Sequence, residues 1–106
     1  TSGAGSAVKR LTVRRSAEQE LASAARWYEG KQPGLGGEHL DAIETAFRAL
    51  REAPEAYPTW QGTVYRKHIL PRFPYIVFYV VDDEEVEVVA VAHGRRRPGY
   101  WLPRDR

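Results

Sequence analysis

The chain has 106 residues, of which 42% are hydrophobic and 28% are charged, proportions typical of one globular domain with a modest core. Its 16 basic and 14 acidic residues leave a net charge of only +2, and the absence of cysteine excludes disulfides, thiolate nucleophiles and zinc sites built on sulfur. No apolar run is long enough to cross a bilayer, so we expect a cytoplasmic protein. We expect residues 1–7 to be a flexible leader or a cloning remnant and residues 8–106 to form a single domain.

The first part of that domain predicts a strand followed by a helix. Polar and apolar residues alternate over 8–14, which indicates a short strand. Ser16 then stands where a helix N-cap is expected, and Gln19 occupies the position that completes a capping box. Gly30 and the glycine- and proline-rich stretch 33–37 are expected to end this helix.

A second amphipathic helix is predicted over 38–51. One apolar stripe runs along it at steps of 3, 4 and 3 residues: Leu40, Ile43, Phe47 and Leu50. We expect this stripe to be buried against Val77, Tyr79 or their neighbours on a sheet. Pro54 prevents the helix from continuing, and the short connection at 33–37 predicts an antiparallel helical hairpin.

The rest of the domain changes to the periodicity of strands. Residues 63–70 alternate, residues 75–81 are almost continuously apolar, and residues 86–92 are rich in β-branched side chains. The stretches 71–74 and 82–85 predict the hairpin loops that connect these three strands. The predicted fold class is therefore α+β, with the order β-α-α-β-β-β and a helical hairpin packed on a small antiparallel sheet.

Basic residues are concentrated in two stretches of the chain. Residues 56–81 contain three bases and no acid, a net charge of +3, and residues 93–106 contain five arginines and one aspartate, a net charge of +4. Aromatic residues lie among these bases, and the combination indicates a basic face for an anionic partner. A solvated surface with uneven charge is the alternative interpretation.

Several kinds of functional site have little support in the sequence. The three histidines, His39, His68 and His93, do not have the spacing of metal ligands, so no metal site is predicted. The GLGG stretch at 34–37 lacks the lysine and the preceding strand of a phosphate-binding loop. Too few serines follow the leader to support a Ser-His-Asp hydrolase.

A site for RNA cleavage is compatible with the residue types. Attack of a ribose 2′-hydroxyl on its own phosphate needs a base, an acid and cations that stabilise the developing charge. Arg66 and His68 share one face of a predicted strand. At or after the end of the last strand lie His93, Arg95, Arg96 and Tyr100. These groups converge only if both strand ends lie on one side of the sheet. In the alternative interpretation, a neighbouring residue satisfies the hydrogen bonds of His68, and the arginines only keep a sheet edge soluble.

The sequence resembles a known family of small proteins. The element order, the length and the stretches AARWYEGKQPGLG (24–36) and RFPYIVFYVVDDEEVEVVAVAHGRRRPGYW (72–101) are similar to the RelE/ParE superfamily. Its members are the toxic halves of bacterial type II toxin–antitoxin modules. The resemblance spans residues 11–101, and the ending AVAHGRRRPGYW (90–101) is similar to the ParE side, whose members are often called plasmid stabilisation proteins.

This resemblance implies one of two activities. ParE-like members bind DNA gyrase and trap its cleaved-DNA state, whereas RelE-like members cut messenger RNA on the ribosome without a metal. In the ribonuclease pattern, Arg66 and His68 fall on two strand lysines, Arg96 falls on an arginine after the last strand, and Tyr100 lies near a tyrosine. These four would be the catalytic residues of an endoribonuclease.

Tyr75 is the departure from the ribonuclease pattern, because those members have an arginine there. Tyrosine cannot supply a positive charge to a scissile phosphate, so we favour non-enzymatic inhibition of DNA gyrase over ribosome-dependent messenger cleavage. A non-toxic binding module that only retains the fold is a further alternative.

The resemblance also implies the partners. A cognate antitoxin is expected to neutralise the toxin in a hetero-oligomer, with an acidic segment that pairs with a sheet edge. The residues expected to bind the target or the antitoxin lie at and after the end of the last strand: His93, Arg95, Arg96, Arg97, Tyr100 and Trp101. No cofactor, metal or membrane is expected.

Overall fold

Four strands and two helices follow one another in the predicted order. The computed structural model of the chain describes residues 9–97 and 99–102, so the predicted leader at 1–7 lies outside the described residues. The elements are β1 (Arg10–Val13), α1 (Arg15–Lys31), α2 (Leu35–Glu52), a short 3-10 turn (Pro54–Ala56), β2 (Arg66–Ile69), β3 (Tyr75–Val81) and β4 (Glu85–His93). The α+β class and the order β-α-α-β-β-β are therefore confirmed.

The strands form one sheet in the order β1-β4-β3-β2. β2, β3 and β4 make the predicted antiparallel meander. β1 pairs in parallel with β4, so the complete sheet is mixed rather than wholly antiparallel. The chain between these two parallel strands runs through the helical hairpin and then through β2 and β3. β1 ends at Val13, opposite Val88, and within the described residues no strand pairs with that edge of β4 from Val89 to His93.

The start of α1 differs from the prediction. The helix begins at Arg15, one residue before Ser16, and no side-chain hydrogen bond caps it. Ser16 therefore lies within the first turn, and the prediction that it caps the helix is wrong. The helix follows directly from the Arg14 N–H, which donates to the Val88 carbonyl oxygen at 2.9 Å and so continues the pairing of β1 with β4. Strand pairing sets this boundary, and the local capping pattern does not.

The start of α2 is also earlier than predicted. The helix begins at Leu35 because Gly34, with a φ of 89°, takes a left-handed conformation that lets the chain turn within very few residues. The carboxylate of Glu29 on α1 accepts hydrogen bonds from the backbone N–H groups of Gly34 at 2.9 Å and Gly36 at 3.0 Å. One helix thereby satisfies the free N–H groups at the start of the next.

The buried stripe of α2 is set by a close approach at Gly36. A Cβ atom there would lie 2.5 Å from the Ala25 carbonyl oxygen of α1, so only glycine fits. The buried residues that follow at helical spacing are His39, Ile43, Ala46 and Leu50. The prediction is thus correct for Ile43 and Leu50, whereas Leu40 is 45% exposed and Phe47 is only partly buried beside the core. The contact with α1 turns position 39, rather than position 40, inward.

Both faces of β3 and β4 are covered, as the apolar run at 75–81 predicts. On the helix side, Val77 and Tyr79 are fully buried, and the Tyr79 hydroxyl donates to the Pro54 carbonyl oxygen at 2.6 Å. On the opposite side lies a second cluster that includes Trp60, Tyr65, Phe78, Val89, Ala90, Ala92 and Trp101. None of the helices in the described part of the chain has the length and apolarity needed to cross a membrane.

Candidate functional site

β4 ends in a turn that presents three arginines. The Arg95 N–H donates to His93 Nδ1 at 3.1 Å, and the Arg96 N–H donates to the His93 carbonyl oxygen at 2.9 Å. Residues 95–102, apart from Pro98, which lies outside the described residues, are called the C-terminal segment. Its first residues are therefore held by hydrogen bonds to His93. Arg95, Arg96 and Arg97 are exposed, and within residues 9–97 and 99–102 no carboxylate forms an ion pair with them.

Tyr100 connects the C-terminal segment to α1. Its hydroxyl donates a hydrogen bond to one carboxylate oxygen of Glu20, and the other oxygen accepts the Val91 backbone N–H at 2.8 Å. The Arg96 guanidinium lies over the Tyr100 ring, 3.9 Å from its centroid, in a cation–π contact. Burial raises the pKa of Tyr100, and the hydrogen bond to Glu20 raises it further. The hydroxyl therefore keeps its proton at neutral pH and cannot serve as a base.

Trp101 anchors the segment on the face of the sheet away from the helices. Its side chain is only 9% exposed, and its ring lies 4.7 Å from Phe78, 4.8 Å from Tyr65 and 5.3 Å from Trp60, measured between centroids. Its indole Nε1 is buried with no acceptor among the described residues. Trp101 thus packs inside the molecule, while the other five residues predicted to bind a target or antitoxin remain wholly or partly accessible.

A groove of about 850 Å³ separates α1 from the end of β4. Tyr75 and His93 form part of its wall, with their rings edge-on at a centroid distance of 5.2 Å. Glu20 and Val91 also line it, so part of the β4 edge that β1 leaves unpaired faces the groove. Arg96 of the C-terminal segment closes one side. The groove is therefore continuous with the predicted binding residues.

Arg66 and His68 lie elsewhere, on the helix side of β2. Arg66 is opposite Tyr79 and His68 is opposite Val77, and both partners belong to the helix-side core. The Arg66 guanidinium donates to the Tyr57 carbonyl oxygen at 2.6 Å, and the His68 ring lies 4.5 Å from the Tyr57 ring. Burial lowers the pKa of His68. Both side chains are therefore engaged at the border of the core.

Lys67, for which the sequence predicts no role, lies near Arg96 and Tyr100, where Arg66 and His68 were expected. Because side chains alternate along a strand, Lys67 faces the side away from the helices. There it lines a small cavity of about 90 Å³ together with Arg96, Arg97 and Tyr100. The sheet lies between this cavity and the Arg66–His68 pair, so the structure does not bring the four predicted ribonuclease residues into one site.

Comparison with known proteins identifies the family. Residues 11–98 match the family model described as "ParE toxin of type II toxin-antitoxin system, parDE". The chain belongs to the ParE toxin family. The protein named Toxin ParE2 in the CDC 1551 / Oshkosh and ATCC 25618 / H37Rv strains of Mycobacterium tuberculosis is 29% identical over 96 residues, which cover 85% of this chain and 86% of the mycobacterial one.

A solved structure shows the same fold as this ParE-family chain. It is described as the chromosomal ParDE TA system from P. aeruginosa, and it superposes with a TM-score of 0.73 at 18% identity over 83% of this chain and 98% of the other. The predicted superfamily, and its ParE side, are confirmed. The chain is thus the toxin component of a type II toxin–antitoxin system, and a cognate antitoxin is its expected partner.

Proposed function

We propose that this ParE-family toxin inhibits DNA gyrase through its C-terminal segment and that the antitoxin neutralises it by covering the same region. The segment offers three exposed arginines, one of which lies over Tyr100. It is attached to α1 through Glu20 and to the opposite face of the sheet through Trp101. A cationic surface with fixed aromatic side chains suits an anionic site on a large protein partner.

The observation that carries the choice of gyrase over the ribosome is the separation of the predicted ribonuclease residues. His68 would be the base, yet it faces the helix side, while Lys67, Arg96 and Arg97 line a cavity on the other side. Tyr75 begins β3 without a cation and packs edge-on against His93. His68, the predicted base, is therefore separated by the sheet from the cations that would stabilise the phosphate charge.

One observation favours messenger cleavage as a second candidate function. The cavity that contains Lys67, Arg96 and Arg97 has cations enough to hold a phosphate. Among the residues that line it, His93 carries the one imidazole, a common proton acceptor in catalysis, and the Tyr100 hydroxyl is already bonded to Glu20 on α1. A ribonuclease built on this cavity would therefore use His93 as its base.

The deciding experiment offers the purified chain both targets. With gyrase, ATP and supercoiled plasmid it should accumulate cleaved DNA, and it should leave messenger on translating ribosomes intact. Arg96→Ala should reduce the cleaved DNA, whereas Arg48→Ala, which removes the same charge from an exposed position on α2, should not. Messenger cleavage on purified ribosomes that His93→Ala abolishes would establish the second candidate instead.

We place the antitoxin on the groove between α1 and β4. The groove borders the C-terminal segment, and an extended segment can pair with the main chain of the β4 edge within it, apart from the Val91 N–H, which already donates to Glu20. An acidic or amphipathic antitoxin segment would also contact Arg96 there. We expect the complete interface to bury at least about 1,600 Å² in total, the usual size for a specific complex.

A further inference from the structure

We propose that Glu20 is a positioning residue, which holds Tyr100, and with it Arg96, in the orientation in which the C-terminal segment meets its target. It does so by accepting one hydrogen bond from the Val91 N–H and one from the Tyr100 hydroxyl. The inference rests on the proposed binding role of the segment. It does not depend on whether the target is gyrase or the ribosome.

The bond to Val91 replaces a strand that is missing. Pairing of β1 with β4 ends where the Arg14 N–H donates to the Val88 carbonyl oxygen, and no described strand covers that edge beyond it. A partly buried N–H group without an acceptor is unfavourable, so the next outward-facing amide needs a partner. Glu20, in the second turn of α1, supplies it with a side-chain oxygen.

The bond to Tyr100 uses the second oxygen of the same carboxylate. Because Val91 belongs to the buried part of β4, the bond to its amide limits where the other oxygen can lie. That oxygen accepts the Tyr100 hydroxyl, while the Tyr100 ring packs against the cluster around Trp101. The ring is thus fixed at both ends, and the Arg96 guanidinium lies over its face.

A carboxylate suits this position better than the other polar side chains of the groove. Hydrogen bonds to an ionised acceptor are stronger than those between neutral groups, and a carboxylate has two equivalent acceptor oxygens. Gln19, Ser16 and Ser23 also line the groove but offer only neutral groups. Glutamine in place of Glu20 can accept the Val91 N–H with its oxygen and donate to the Tyr100 hydroxyl with its amide, but both bonds lose the ionised acceptor, so Glu20→Gln should weaken the arrangement only in part.

The test compares the parent chain with four variants: Glu20→Ala, Glu20→Gln, Tyr100→Phe and the Glu20→Ala/Tyr100→Phe double variant. Glu18→Gln is the control, because it removes the same charge from an exposed position of α1. Two quantities are measured on each protein. Amide hydrogen exchange of Val91 reports whether the bond between Glu20 and β4 is present. The amount of induced protein needed to arrest bacterial growth reports how well the C-terminal segment acts on its target.

Tyr100→Phe should leave Val91 protected from exchange but raise the amount needed for growth arrest on the order of tenfold or more, the value of one hydrogen bond to a charged group. Glu20→Ala should speed the exchange of Val91 and raise that amount at least as much. The double variant should need no more protein for growth arrest than Glu20→Ala does, because both changes remove the same contact. Glu20→Gln should be intermediate.

Full potency of Tyr100→Phe would overturn the inference, since Glu20 would then support only the β4 edge. Unchanged exchange of Val91 in Glu20→Ala would overturn it as well, and so would a parent chain that arrests no growth. Growth arrest without gyrase damage would refute the proposed target, while the comparison of variants would still decide the role of Glu20. Failure of one proposal is thus distinguishable from failure of the other.

Discussion

Two arginine–tyrosine contacts lie at different places on the sheet and have different surroundings. Arg66 on β2 is partly buried and donates to the Tyr57 carbonyl oxygen. Arg96, which follows β4, is exposed and lies over the Tyr100 ring, and its guanidinium forms no hydrogen bond within the described residues. The Arg66 guanidinium uses a donor to stabilise the fold, whereas the Arg96 guanidinium leaves its N–H donors available to a partner. Placement on the sheet, rather than residue type, separates the two roles.

The histidines repeat this difference. His39 is fully buried, its ring lies within 5.1 Å of those of Tyr28, Phe73 and Tyr75, and neither of its nitrogens has a partner among the described residues. His93 borders the groove, and its Nδ1 accepts a backbone N–H. Substitutions on the helix side should therefore change stability, and substitutions around the C-terminal segment should change binding.

The largest effect on stability is expected in the helix-side core. Leu50→Ala should lower the free energy of unfolding by about 2–5 kcal/mol, because Leu50 is fully buried and its loss leaves a cavity. Leu40→Ala, on the same helix but 45% exposed, should change it by less than about 0.5 kcal/mol. Urea unfolding of the two variants measures both values, and equal losses would show that the buried stripe is placed incorrectly.

The two arginines should differ when each is removed. Arg66→Ala leaves the partly buried Tyr57 carbonyl oxygen without its donor and should lower the free energy of unfolding by about 1–3 kcal/mol. Arg96→Ala should change it by less than about 0.5 kcal/mol, as is usual for an exposed side chain. The same urea titration compares them, and the comparison fails if Arg96→Ala is the more destabilising.

Charge reversal should act on the rate of antitoxin binding. Arg96→Glu should slow association by about three- to tenfold at low salt, since exposed charges steer encounter more than they hold the complex. Arg48→Glu on α2 should have a smaller effect, because it is not in the C-terminal segment. Stopped-flow mixing at two salt concentrations measures the rates. A rate that is independent of salt for the parent chain would contradict steering by these arginines.

The smallest expected effect concerns pH. Burial lowers the pKa of His39 and of His68 below their ordinary value of 6.5, so the unfolded chain takes up protons at a pH where the folded chain does not. The free energy of unfolding should therefore fall as the pH drops below 6.5 and should be level above it. His39→Phe should remove part of the fall, which thermal unfolding between about pH 5.5 and 7.5 measures, a range in which most carboxylates stay ionised. An unchanged slope in this variant would rule out His39 as a source.

Much of the fold could be predicted because local patterns and burial agree. The almost continuously apolar run at 75–81 predicts a strand covered on both faces, and both faces of β3 are covered. The inward turn of α2 could not be predicted from hydrophobicity, because the contact of Gly36 with α1 decides it. That contact buries His39, a residue whose type does not suggest burial.

The positions of the candidate site residues could be predicted only in part, and their roles stay predictions. Charge and aromatic content single out the residues after β4, but the sequence alone does not show which side chains of β2 face the helices, because that depends on its register with β3. Pairing Arg66 with Tyr79, which was already expected to face the helices, would have directed attention to Lys67 instead. Glu20 had no signal of its own, because an acid on a helix surface is ordinary. Its importance depends on where β1 ends, and that is a feature of the assembled sheet.

Cleaved DNA trapped with purified gyrase tests most directly whether the C-terminal segment, rather than the Arg66–His68 pair, is the working site. The parent chain, His68→Ala and Arg96→Ala are compared at equal folded concentration, with ribosome-bound messenger assayed in parallel. We expect the parent and His68→Ala to trap similar amounts of cleaved DNA and Arg96→Ala to need on the order of tenfold more protein. Loss of trapping in His68→Ala with full trapping in Arg96→Ala would contradict this, as would cleaved messenger with no cleaved DNA.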